Sequence, residues 1–129
     1  MKTCIIIFLS LLTNVLLAQK SDMVIRISEI EVEPSYLKEY LDILNEEARE
    51  SVRLEAGVIS IFPMYQKGNT NQIRILEIYA NKSAYESHLK TPHFLKYKIS
   101  TTKMVKSLKL KDMEASEPMI MKEVFKKIQ

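Results

Sequence analysis

The chain reads as an α+β domain with element order βαββαβ. Three observations predict this: β-branched runs alternate with stretches of helical spacing, the joints between them are short, and the turn-forming residues cluster at only a few places. MVIRISEIEV, from Met23, is rich in β-branched residues and stops at Glu33-Pro34, so it is strand one. Pro34 suits the first turn of a helix, where its missing N–H costs nothing. Leu37, Leu41, Leu44, Ala48 and Val52 then recur at helical spacing, with Lys38, Glu39, Asp42, Glu46 and Glu50 on the wet face. Gly57 closes that helix, and VISIFPMYQ follows as strand two. KGNTN is a turn, and QIRILEIYA is strand three, antiparallel to strand two.

Asn81 or Ser83 caps the next helix; Ser83-Ala84-Tyr85-Glu86 has the capping-box pattern, so the spacing leaves both open. Asn81-Lys82-Ser83 also matches a glycosylation sequon, for which the helix cap is the more economical explanation. Thr91-Pro92 restarts a second helical piece, carrying HFLKYKISTTKMV, and SLKLKDM alternates as strand four. This is the split-βαβ, ferredoxin-like pattern: a four-stranded antiparallel sheet with helices on one face, over residues 23–113. Ile73 and Ile75 alternate with Leu76 and Ile78, and Ile59 and Ile61 with Val58 and Phe62, so both sheet faces carry apolar residues. Helices cover one face only. The other is expected to pair in a homodimer, giving a dimeric α/β-barrel type of assembly. The tail, residues 114–129, holds Met119, Met121, Val124, Phe125 and Ile128, too few for a core and suited to docking on the dimer partner.

Residues 1–18 read as a cleavable signal peptide: Lys2, an apolar run from Cys4 to Leu17, then Ala18 before Gln19. The run is shorter than the about 20 residues of a spanning helix. The mature chain is therefore expected to be periplasmic or secreted with no stable membrane span, an uncleaved anchor being the alternative. Its single cysteine would leave with the signal, which rules out disulfides and thiolate chemistry. A net charge of +3, scattered rather than clustered, excludes the concentrated basic stripe of a nucleic-acid binder.

EAGV at Glu55–Val58 and ILEIYANKSAYESHLKTPHF at Ile75–Phe94 carry a resemblance to the antibiotic biosynthesis monooxygenase family, in its quinol-monooxygenase-like branch. The resemblance covers nearly all of the mature domain. It implies a homodimer with sheets face to face, and an oxygenase without metal, flavin or other cofactor, acting on a quinol or another small aromatic. Such a reaction needs a dry pocket, a proton acceptor and donors for a phenolate-like oxygen. His93 and His88 are the natural acceptors, with Glu77 a third if burial raises its pKa. Tyr65, Tyr79 and Tyr97 are candidate donors, and Phe62, Met64, Leu76, Phe94 and Leu95 candidate walls.

Each candidate has a structural rival. His88 and His93 fit equally as packing residues at the joint between two helical pieces, and Glu77 as a partner of Arg74 or a lysine. A metal at the two histidines is disfavoured, because five residues and a Pro92 break separate them from the i, i+4 spacing of a shared helical face. Haem degradation is disfavoured as well. The haem-degrading branch carries a Trp where Tyr79 stands and a proximal His near Lys98, and this chain has no Trp. The rival functions are a non-catalytic dimeric small-ligand-binding protein and an isomerase on the same fold.

Overall fold

The computed structural model describes residues 22–124 and 126. The predicted signal segment and the tail residues Phe125 and Ile128 lie outside the described residues. The fold is the expected one: β1 (Val24–Val32), α1 (Leu37–Leu54), β2 (Val58–Gln66), β3 (Asn69–Tyr79), α2 (Lys82–His88), α3 (Pro92–Thr101) and β4 (Val105–Met113). A 3-10 turn and a short helix, α4 (Met121–Val124), follow in the tail. The strands form one antiparallel sheet in the order β2-β3-β1-β4, with the helical layer on one face. No described helix is long and apolar enough to cross a membrane.

Local chemistry sets the boundaries. Pro34 opens a 3-10 turn, Pro34–Tyr36, and the α-helix begins only at Leu37. The buried stripe of α1 is Tyr40, Leu44, Glu47, Ala48 and Ser51. Leu37 and Leu41 flank it, while Val52, expected inside, is exposed. The helix is thus rotated so that a tyrosine, a carboxyl and a hydroxyl point inward beside Leu44, with Leu37 and Leu41 at the margin. Of the two possible caps for α2, the structure selects Asn81, whose side chain accepts from the Ala84 N–H at 2.8 Å. Thr91 caps α3 in the same way, at 3.3 Å from the Phe94 N–H.

The expected alternation of β2 is broken by a register shift between Val58 and Ser60. The extra residue of a bulge turns Ile59 outward and lets Val58 and Ile61 enter the same core. That core joins Ile30, Val32, Tyr40, Leu44, Ile73 and Ile75 between sheet and helices. Ile25, Ile27, Phe62, Met64, Leu76 and Met113 occupy the alternate positions of the register and stand on the open face. At one end of that face, Glu29 pairs with Lys111 at 2.8 Å and with Arg74 at 3.8 Å.

Candidate active site

The helices leave β4 uncovered. Leu108 and Leu110 are 56% and 52% exposed although they belong to the helix-facing side of the sheet. Inward from this rim, a cavity of about 470 Å³ runs between the sheet and α1, α2 and α3. Its walls are largely aliphatic and aromatic, from Ile30, Leu44, Ile61, Ile75, Phe94 and Tyr97. The polar groups that break this apolar surface are Arg26, Ser28, Glu47, Glu77, Tyr85 and His88.

Glu77 sits on the central strand β3, where its two oxygens are held separately. Tyr79 Oη donates to Oε1 at 2.8 Å, and the Ser28 hydroxyl donates to Oε2. Arg74, its expected partner, turns instead to Glu29 on the opposite face. Across the cavity, Glu47 projects from the buried stripe of α1, and Ser51 Oγ donates to its Oε1 at 2.7 Å. Burial holds the Glu47 carboxyl above the usual carboxylate range by disfavouring its charged form, against the opposing pull of that hydroxyl. Arg26 supplies the opposite charge. Its guanidinium lies 4.7 Å from the centre of the Tyr85 ring, bonds the Tyr85 hydroxyl at 2.6 Å and pairs with Asp112 at 2.8 Å. The Tyr97 and Tyr40 hydroxyls meet at 2.8 Å, and burial pushes Tyr97 up to about 12.

His88 ends α2 and is 1% exposed. Its ring packs against Phe94 and Tyr79, with centroids at 4.9 and 5.3 Å. Its Nε2 lies 3.5 Å from Glu47 Oε1, and its Nδ1 lies 3.0 Å from Glu55 Oε2. The same Glu55 oxygen is 2.6 Å from His93 Nε2. The break at Thr91-Pro92 therefore does not separate the two histidines, as their spacing suggested; the fold of the joint points both rings at one carboxylate.

The other predicted site residues are dispersed. His93 stands behind His88, on a depression of about 20 Å³ facing the other side of α1. Tyr79 is fully buried beneath Glu77. Phe62, Met64 and Leu76 stand on the open sheet face and do not wall the cavity; Tyr65 and Leu95 are exposed away from it. Glu47, Arg26, Ser28 and Tyr85 were missed in the sequence. Glu47 had a signal: it falls three residues after Leu44 and one before Ala48, on the apolar face of α1.

Fold and cavity together define a split-βαβ domain that encloses a mostly apolar chamber with a poised carboxyl, an imidazole and a guanidinium on its walls. The chain belongs to the antibiotic biosynthesis monooxygenase family, whose sequence model matches residues 23–98. A solved structure from Bacteroides thetaiotaomicron, provisionally named an antibiotic biosynthesis monooxygenase, is 43% identical. It superimposes with a TM-score of 0.74 over 75% of this chain and 92% of its own. A provisionally named monooxygenase from Lactobacillus acidophilus is 30% identical, with a TM-score of 0.70, over 72% of this chain and 44% of its own. A structure from Nitrosomonas europaea at 15% identity shares the fold, with a TM-score of 0.71 over 77% of this chain and 95% of its own. No curated protein matches the chain.

Proposed function

We propose that this protein is an exported, dimeric oxygenase that needs no cofactor and hydroxylates a quinol or a related small electron-rich aromatic. The observation that carries the reading is the pairing, in one apolar cavity of about 470 Å³, of Glu47 with a raised pKa and the fixed guanidinium of Arg26. A carboxyl whose pKa is lifted towards neutrality is a better general base than an ordinary one. The substrate hydroxyl gives its proton to Glu47, and Arg26, with Tyr97, stabilises the phenolate oxygen that results. The phenolate reduces oxygen directly. One oxygen atom enters the ring, the other leaves as water with two hydrogens from the substrate, and the four electrons come from the quinol as it becomes a hydroxyquinone. Family membership and the provisional monooxygenase names of the relatives support this reading.

The test is oxygen uptake by the full chain, in the presence of chelator, with a panel of reduced quinones and polyphenols. Uptake above the protein-free rate is expected, and Glu47→Gln is expected to lower kcat by about 10²–10⁴-fold, the usual contribution of a general base. Turnover of a panel member without oxygen uptake would replace the oxygenase with an isomerase. No turnover at all would replace it with a small-ligand-binding protein.

The dimer belongs to the same proposal. It uses the open sheet face, where Ile25, Ile27, Phe62 and Leu76 make an apolar patch. Phe62→Lys places a charge in this patch, on its β2 side. Sedimentation equilibrium is expected to show dimer dissociation strengthened about 30-fold or more, the equivalent of losing a 2 kcal/mol hot spot. An unchanged dimer constant would move the interface elsewhere.

A further inference from the structure

We infer that Glu55, His88 and His93 form a binding site for a divalent first-row transition metal of the zinc type. Glu55 Oε2, His88 Nδ1 and His93 Nε2 lie within 4.8 Å of one another. They come from three separate helix ends: the C-cap of α1, the last residue of α2 and the first turn of α3. Two imidazoles and one carboxylate with an open position are a ligand set that suits zinc. Without metal, both rings donate N–H groups to one oxygen, at 3.0 and 2.6 Å. Zinc bonds of about 2.0–2.1 Å at a tetrahedral centre place neighbouring donors roughly 3.3 Å apart. From 3.0 and 2.6 Å, the two contacts with Glu55 have to open by roughly 0.3 and 0.7 Å to accept the ion.

The surroundings have the two further features that a metal site needs. First, the ring nitrogen of His88 that would not bind the metal faces a buried carboxyl, Glu47 Oε1, at 3.5 Å. A carboxylate behind a ligating histidine orients the ring and strengthens it as a ligand. Second, there is an entry path. The small depression at His93 is bordered by Glu46, paired with Lys96 at 3.1 Å, and by Glu50, paired with Arg53 at 2.7 Å, so an ion pair on each side frames the opening. Glu55 and His93 do not line the large cavity, so the ion would fasten the α1–α2–α3 junction and steady Glu47 from behind, without facing the substrate. The inference does not depend on the oxygenase reading.

The chain has two histidines, so an untagged protein gives two imidazole signal sets in long-range ¹H–¹⁵N spectra. Titration with Zn²⁺ alone is expected to shift both sets, with metalated Nδ1 on His88 and Nε2 on His93, and to saturate at one ion per chain. Dialysed protein is expected to retain that ion by mass spectrometry of metal content. Glu55→Gln and His93→Ala, checked for native circular dichroism, are expected to weaken binding by more than about 100-fold, beyond the range of outer-shell changes. Unshifted imidazoles, or retention undiminished in both variants, would reduce the cluster to a hydrogen-bonded joint.

Discussion

His88→Ala is expected to lower the unfolding free energy by about 3–5 kcal/mol, whereas His93→Ala, five positions on, costs about 1 kcal/mol. The two histidines share a carboxylate but not an environment. His88 is 1% exposed and packed between the rings of Phe94 and Tyr79, so its removal opens a void that the ends of α2 and α3 cannot close. It also strips the imidazole that lies 3.5 Å from Glu47 Oε1, leaving the buried carboxyl to the Ser51 hydroxyl. His93 reaches solvent through its depression, and when it is lost Glu55 keeps the His88 bond at 3.0 Å. Urea unfolding of both variants in the presence of chelator measures the difference. Equal, small losses would show that His88 is not the strut that the packing makes it.

Much of the fold was legible because the signals were local. β-branched runs bounded by Pro34, Gly57 and the KGNTN turn mark the strands, and Thr91-Pro92 marks the start of α3. Where the sequence reading missed, a long-range contact had outweighed a local pattern. In α1 the stripe Leu37-Leu41-Leu44-Ala48-Val52 is a sound amphipathic helix, yet Tyr40 enters the core instead of Val52, because its hydroxyl finds Tyr97 on α3 and its ring fills the space above the sheet. Glu47 and Ser51 follow Tyr40 inward, each satisfying the other. The bulge in β2 has no residue signature of its own; it appears once Val58 and Ile61 must both meet the helices.

The site was legible in part for the same reason. His88, Glu77 and Phe94 were found because they stand in the Ile75–Phe94 motif, and Tyr97 as a tyrosine three residues beyond it; all four line the cavity. Arg26 and Ser28 lie on β1, far away in sequence. They reach Glu77 only through the register, with Arg26 opposite Glu77 and Ser28 opposite Ile75. Phe62 and Met64 look like pocket walls in a list of apolar residues; the parity of β2 after its bulge sends them to the open face instead. Which side of a sheet a residue occupies is a property of the whole strand.

Gly57→Ala ties fold to site, and it is expected to cost about 1–3 kcal/mol. The residue has no left-handed conformation to excuse a glycine; among the described residues only Gly68, at φ 82°, does. What Gly57 provides is space. A Cβ there would stand 2.4 Å from the Ala84 Cβ, which is fixed to the first turn of α2 and cannot swing away. The helix would have to retreat by roughly 1 Å to restore an ordinary contact. That movement strains the hydrogen bond from the Ala80 N–H to the Gly57 carbonyl, 2.8 Å long, which ties the end of β3 to this turn. It also carries His88, one turn further along α2, out of line with Glu47 and Glu55. The second substitution that separates steric conflict from backbone effects is Ala84→Gly. Alone it costs about 1 kcal/mol as a glycine in a helix, but it removes the atom that the new methyl meets. If the contact is the cause, the double variant is more stable than Gly57→Ala alone. If the double variant is worse than either single one, the close approach of turn and helix is not what this glycine secures, and the placement of His88 must come from the α1–α3 packing instead.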